Sequence, residues 1–299
     1  MKIYNVEKEG KKFPAVLDEE SGYLYRVKDL GYDTDDMIEF IRLVNCDFKT
    51  LNGRFETAKN TAVPAGSLKD LRTWAPIEHP HRDVICMGLN YQAHAEEMAK
   101  ATSNAKDAVR NYPIYFGKPV DRARGDGEEI PSHKDFISTL DYECELGVIM
   151  GKDTDHVKEE DVRNFIFGYT IINDVTGREL SRHKQNYFMK GLDGTCPMGP
   201  CIVTADAIAY PPALNITLDV NGEPRQNGYT SDMIFGIDEI VSTLSQGMVL
   251  QAGTIFATGS PTGIGFGMNP PVFLHDGDVV HCHIDQIGDL TNIVKDNVK

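Results

Sequence analysis

Apolar and polar positions alternate through Lys2 to Val6, Phe13 to Leu17 and Tyr23 to Val27, with Glu9-Gly10 and Ser21-Gly22 between them, which predicts a three-stranded meander. The period then lengthens. Met37, Phe40, Ile41 and Val44 recur at helical spacing, with Thr34 or Asp35 placed to cap the helix. Ala75-Pro76-Ile77-Glu78-His79-Pro80 sets a polar pair between prolines and predicts an extended linker, dividing the chain into a small β-rich unit over 1–78 and a larger one over 79–299. Val84 to Leu89 predicts a buried strand, and Asn90 stands where an N-cap belongs for a helix through Tyr91, His94, Glu97 and Met98. The polar stretch from Ala99 to Asn111 predicts an extension of that helix or a cover over a site. Further on, Lys158 to Asn164 reads as a short helix and Phe165 to Asn173 as an apolar strand. Leu214 to Val220 and Pro224 to Tyr229, joined by Asn221-Gly222, predict a hairpin. Ile237, Ile240, Val241 and Leu244 share one face of a helix over 237–245, capped from Gly236 or Asp238. Strands over 254–257 and 279–284 follow, and the tail is polar.

The run from Leu140 to Gly151 breaks its own apolar pattern with Asp141, Glu143 and Glu145. On a strand, residues two apart face the same way, so these carboxylates project together while Tyr142, Cys144 and Leu146 face opposite. Either this is a solvated strand edge, or the acids are partly buried and need a cation between them, for which a hard divalent ion is the usual partner. Asp174 ends the next apolar strand and supplies the third carboxylate such a site requires. Lys190 and Arg178 are the candidates to neutralise an anionic substrate there, although each taken alone reads as a solvated side chain. His94 and Glu97, three apart, are either an ordinary surface pair or an imidazole whose tautomer and basicity a carboxylate sets. The segment Thr258 to Gly267 carries glycines at 259, 263, 265 and 267, which let backbone amides approach a ligand, and hydroxyls at Thr258, Ser260 and Thr262 that can donate to a carboxylate or enolate oxygen. It lacks the lysine of a phosphate-binding loop and the dinucleotide fingerprint.

With 299 residues, 41% of them hydrophobic, the chain can bury a substantial core. A net charge of -15 excludes a nucleic-acid groove or an anionic membrane surface as partner, while leaving room for a local basic pocket. No apolar run approaches the roughly 20 residues that span a bilayer, and the start has no signal-like apolar region, so the expectation is a cytoplasmic protein. The cysteines (Cys46, Cys86, Cys144, Cys196, Cys201, Cys282) have no Cys-x-x-Cys spacing and read as reduced packing residues.

Several ordered blocks across about residues 80 to 293 carry a resemblance. They are Gly88-Leu89-Asn90-Tyr91-Gln92-Ala93-His94 with Glu97, Pro113 to Pro119, Asp141-Tyr142-Glu143-Cys144-Glu145-Leu146, Asn173-Asp174-Val175-Thr176, Lys190-Gly191-Leu192-Asp193, Cys196 to Pro200, and the glycine-rich segment at 258–265. In these the chain resembles the fumarylacetoacetate hydrolase family. The resemblance implies an α+β, mainly β fold, with a mixed β-roll or sandwich core and a small β-rich N-terminal domain, assembled as a homodimer. It implies Glu143, Glu145 and Asp174 as ligands of Mg²⁺ or Mn²⁺, His94 and Glu97 as a water-activating pair, and Lys190 as a charge stabiliser. Arg178, Lys118, Thr258, Gly259 and Ser260 are the implied substrate contacts. The implied activity is cleavage of a carbon–carbon bond in acylpyruvates or related 2,4-dioxo acids. Oxaloacetate decarboxylation, a 2-keto-3-deoxy sugar-acid lyase or dehydratase reaction, and a non-catalytic ligand-binding scaffold are the alternatives.

The sequence departs from the family pattern near the substrate. Glu179 and Ser181 stand where relatives commonly have Asp and Gln, Ser260 where Thr is usual, and the segment 120–127 is unusually charged. Arg122 and Arg124 within it are either contacts for a second acid group or surface charge.

Overall fold

The computed structural model describes residues 1–103, 111–296 and 298. The N-terminal strands are β1 (Lys2–Lys8), β2 (Lys11–Leu17) and β3 (Tyr23–Arg26), followed by helices α1 (Met37–Val44) and α2 (Phe48–Thr61) and by the short β4 (Gly66–Ser67) and β5 (Arg72–Trp74). Next come β6 (Val84–Gly88), α3 (Gln92–Thr102), β7 (Ile114–Lys118), β8 (Glu129–Pro131), β9 (Leu140–Asp141), β10 (Cys144–Met150), β11 (Ile166–Asn173) and β12 (Thr176–Gly177). The last third holds α4 (Asn186–Lys190), β13 (Met198–Thr204), β14 (Asn215–Val220), β15 (Glu223–Tyr229), α5 (Ile237–Ser245), β16 (Ile255–Ala257), β17 (Val279–Ile284) and β18 (Gly288–Lys295). Strands hold 34% of the residues and helices 24%, so the fold is α+β with sheet predominating.

The large sheet runs β4-β3-β2-β1-β13-β11-β10-β16-β6-β7, with β5 paired to β1; a second sheet runs β15-β14-β17-β18-β8. The segment 1–78 joins the rest through β1, where Lys2 and Ile3 pair antiparallel with Val203 and Ile202 of β13. Strand β10 is buried on both faces because each has a cover. Cys144, Leu146, Val148 and Met150 pack in one core with Ile216 and Leu218 of β14, Cys282 and Ile284 of β17 and Leu290 of β18, forming the sandwich interior. Ile149 belongs to the other core, with Phe167, Ile172 and Ile202 of the same sheet and Phe40, Ile41, Leu51 and Phe55 of α1 and α2. Glu143 and Glu145 therefore enter an interior and not a solvated edge, at 6% and 1% exposure.

Several local expectations are corrected. The cap of α1 is Asp36, whose Oδ1 accepts the Glu39 amide at 2.7 Å, rather than Thr34 or Asp35. Asn90 is not the N-cap of α3; Tyr91 holds that place without a side-chain cap bond. The fully buried Asn90 instead donates through Nδ2 to Phe235 O and Thr258 O and accepts the Phe235 amide, tying β6 to two distant segments. The strand through Leu140 to Gly151 breaks at Tyr142-Glu143 into β9 and β10. The polar tail forms β18, and α2 is an additional helix. Of the cover expected over 99–111, residues 104–110 lie outside the described residues, and 99–102 complete α3. All six cysteines are free, and no helix among the described residues is long and apolar enough to cross a membrane.

Candidate active site

Strand pairing builds the acidic cluster. Cys144 of β10 lies opposite Asn173 of β11, so Asp174, the next residue, emerges beside the residues flanking Cys144. The Asp174 amide donates to Glu143 O at 2.8 Å and the Glu143 amide to Asn173 Oδ1 at 3.0 Å, which fixes the turn in one strand against the end of the other. Each of Glu143, Glu145 and Asp174 thereby offers a carboxylate oxygen, and these oxygens all lie within 4.8 Å of one another.

Three cations surround them. Lys190, the last residue of α4, places Nζ 2.8 Å from Glu143 Oε2 and 2.5 Å from Asp174 Oδ2. Arg178, just after β12, donates from Nε to Asp141 Oδ2 at 2.8 Å and from Nη2 to Glu143 Oε1 at 2.5 Å. Lys118, completely buried at the end of β7, lies behind Asp174: Nζ is 2.9 Å from Oδ1 but aims its hydrogen bonds at Val175 O and Lys190 O. Asp174 Oδ1 is thus close to a positive charge yet has no hydrogen-bond donor. Burial raises the Glu143 carboxyl, but Lys190 and Arg178 outweigh it and hold the group below the ordinary glutamate range. Burial opposes the Lys190 charge, yet Asp174 and Glu143 hold its ammonium above the usual lysine range. Glu145 forms no ion pair among the described residues; burial, then the nearby Asp174 and Glu143, push its carboxyl well up.

Across a cavity of about 180 Å³ stands His94, which lines it together with Glu143, Glu145, Arg178, Lys190 and Ser260. His94 Nδ1 lies 2.9 Å from Glu97 Oε2 on the next turn of α3. The other oxygen, Glu97 Oε1, accepts the Gly263 amide at 2.9 Å. Gly263 has φ +109°, and a Cβ there would lie 1.9 Å from Arg225 O, so only glycine brings the amide to Glu97. Other amides of the segment are spent similarly: Gly259 donates to Glu145 Oε2 at 2.7 Å, and Gly265 and Phe266 to Asp141 at 2.8 and 3.1 Å. Thr258 Oγ1 donates to Leu146 O, and Ser260 Oγ accepts from Gln226 Nε2 at 2.6 Å. The glycine-rich turn thus serves the protein's own carboxylates more than an open ligand surface. Arg122 pairs with Glu78 and Glu128, and neither Arg122 nor Arg124 lines the cavity. Glu179 accepts the Ser138 amide and hydroxyl outside the cavity.

Residues 83–295 match the fumarylacetoacetate (FAA) hydrolase C-terminal family. The chain belongs to that family. It is similar to the oxaloacetate tautomerase YisK of Bacillus subtilis strain 168, at 45% identity over 227 residues, covering 76% of this chain and 74% of that one. Among solved structures it is similar to a fumarylacetoacetate hydrolase from psychrophilic Exiguobacterium antarcticum, at 36% identity and TM-score 0.80, over 99% of this chain and 100% of the other. It is also similar to a maleylpyruvate hydrolase from Sphingobium sp. SYK-6 in complex with manganese(II) ion and pyruvate, at 29% identity and TM-score 0.78, over 100% of both chains.

The residues of this family member fit a divalent cation. Asp141, Glu143, Glu145 and Asp174 face Lys118, Arg178 and Lys190, leaving one carboxylate beyond what the cations balance. Glu145 is the carboxyl left without an ion pair among the described residues; with a divalent ion, an all-oxygen donor set of the kind hard cations take is complete, and the excess charge suits an anionic substrate. Sequence reasoning assigned no role to Asn173 or Gln226. Asn173 is the last residue of β11 and signals nothing by itself, and Gln226 sits in a hairpin of polar appearance, where no local pattern marks it as buried.

Proposed function

We propose that this fumarylacetoacetate hydrolase family member is a Mg²⁺- or Mn²⁺-dependent enzyme that moves a proton on a short 2-oxo acid, interconverting the keto and enol forms of an oxaloacetate-like substrate. The observation that carries this reading is that His94 lines one cavity of about 180 Å³ with Glu143 and Glu145, two of the three converging carboxylates. That volume is below the roughly 300–1,000 Å³ of sites for drug-sized ligands, which favours a substrate of a few carbon atoms. The similarity to an oxaloacetate tautomerase points to the same chemistry.

Glu143, Glu145 and Asp174 would hold the cation, which when bound polarises the carboxylate and keto oxygens of a 2-oxo acid. Lys190 and Arg178, both buried, place fixed positive charge where enolate character develops. His94 uses Nδ1 toward Glu97, so Nε2 is the ring atom left to take the proton from the carbon beside the carbonyl and return it. Glu97 orients the ring. Arg178 and Ser260 line the cavity, whereas Thr258, Gly259 and Lys118 lie outside its lining and act on Leu146, Glu145 and Asp174.

A second reading, hydrolysis of a carbon–carbon bond in an acylpyruvate, uses the same residues with His94 activating water, and the similarity to a maleylpyruvate hydrolase favours it. Following enol-oxaloacetate absorbance with Mn²⁺-loaded protein tests the first reading, and pyruvate release from acylpyruvates the second. Accelerated enol decay without pyruvate release supports tautomerisation; pyruvate release with no effect on the enol supports hydrolysis and sinks the first reading.

A further inference from the structure

We infer that Asp141 is a positioning residue that sets how strongly Glu143 can hold a divalent cation, acting through Arg178; this rests on the metal reading of the triad. Asp141 is completely buried and is not one of the converging carboxylates. Its Oδ2 accepts Arg178 Nε, and the same guanidinium donates from Nη2 to Glu143 Oε1. One planar cation is therefore divided between a carboxylate inside the triad and one outside it. The guanidinium can be shared in this way because its donors point along fixed directions, whereas an ammonium is a single point of charge.

The backbone keeps Asp141 in this role. Its Oδ1 accepts the amides of Tyr142 and Gly265 at 2.9 and 2.8 Å, and Oδ2 the amide of Phe266 at 3.1 Å. The carboxylate cannot turn away from Arg178 without giving up bonds to the glycine-rich turn. A Cβ on Gly265 would lie 2.8 Å from Oδ1, so the turn is pressed against this acid. The sharing has an electrostatic consequence for the triad. A carboxylate that alone neutralises a buried guanidinium has less negative charge to offer a second cation, so Asp141 spares Glu143 by taking part of the Arg178 charge.

The test is Mn²⁺ titration by calorimetry on the full chain after verified metal removal, with thermal melting as a check of folding. Asp141→Asn keeps the shape and removes the charge, and its Mn²⁺ affinity should fall by about 10-fold to 100-fold, the range for residues that act on a metal ligand from behind. In an Arg178→Gln background the same Asp141→Asn change should have no further effect, because the residue through which it acts is gone. An undiminished effect in that background would mean that Asp141 works through the Gly265-Phe266 turn, and would overturn the proposal. Should Asp141→Asn or Arg178→Gln not fold, Arg178→Lys takes their place: its ammonium cannot serve both acids in the same geometry, so affinity should drop similarly, and wild-type affinity would overturn the proposal. A wild-type chain that binds no Mn²⁺ removes the metal reading itself, whereas a wild type that binds and an Asp141→Asn variant that binds equally well removes only the role of Asp141.

Discussion

The Gly263 amide donates to Glu97 Oε1 at 2.9 Å, so the glycine-rich turn and the imidazole of His94 share one carboxylate. The same acid is crowded from the other side. A Cβ at Gly267 would lie 2.4 Å from the Glu97 carboxyl carbon, which makes the turn a template for the His94-Glu97 pair. Gly267→Ala is expected to displace the Glu97 side chain, with little cost in melting temperature because that side-chain end can move. Turnover should fall by about 10²-fold, the scale of a misplaced catalytic group. Wild-type turnover in a folded Gly267→Ala protein would show that the Glu97 position does not matter.

His94→Ala should remove roughly 10²-fold to 10⁴-fold of the rate in any reaction that needs a positioned proton acceptor. Glu97→Gln should fall between that variant and wild type, since an amide can still orient the ring but no longer places a negative charge beside it. Oxaloacetate decarboxylation needs no attacking water, so His94→Ala should retain most of it. Equal losses in tautomerisation, hydrolysis and decarboxylation would mean that His94 acts by closing the cavity.

Metal affinity should rise with pH through Glu145. Its carboxyl is pushed well above the ordinary range by burial and by Asp174 and Glu143, so the metal-free site keeps its proton to higher pH than an ordinary glutamate, and a cation must displace that proton. The sign follows from linkage: below the raised pKa one proton leaves per cation bound, and affinity gains up to about tenfold per pH unit. Calorimetry in buffers of different ionisation enthalpy would count the released proton. A Mn²⁺ affinity flat between pH 5.5 and 8, after correction for buffer, would contradict the placement of that proton.

Lys190 neutralises Glu143 and Asp174 from a position with 3% exposure. Lys190→Met should destabilise the metal-free protein by about 3–5 kcal/mol, the cost of stripping one partner from a buried ion pair. Mn²⁺ should then raise the melting temperature more in the variant than in wild type, because the ion supplies the missing positive charge. Identical metal-induced shifts in the two proteins would mean that Lys190 and the cation do not serve the same carboxylates.

The acidic triad was legible in part: alternation put Glu143 and Glu145 on one side and Asp174 at the end of a neighbouring apolar run, but the break at Tyr142-Glu143, which leaves Glu143 ahead of β10 and Asp141 outside the triad, was not. The hairpin at 215–229 and the helix at 237–245 were legible for the same reason, since short-range pattern decides them. Asn90 was misread because its partners Phe235 and Thr258 lie 145 and 168 residues away, and no local rule sees them. Thr34-Asp35-Asp36 offers three possible caps in a row, and packing of α1 chose the third. Helix α2 buries only Leu51, Phe55 and Ala58 among many polar residues, too thin a stripe to announce itself. The glycine-rich turn was recognised, but whether its amides face a ligand or the protein's own acids depends on where β9 and α3 bring Asp141 and Glu97.

Because Ile3 of β1 lies opposite Ile202 of β13, a copy shortened to begin at residue 79 would bare the outer edge of β13. Its N–H and C=O groups would stand open beside Cys201, Ile202 and Val203, the kind of apolar margin onto which an extended segment of another molecule can add. The same shortening would uncover Ile149, Phe167 and Ile202, which pack against α1 and α2. Strand β1 therefore closes an edge of β13 as well as pairing with β2.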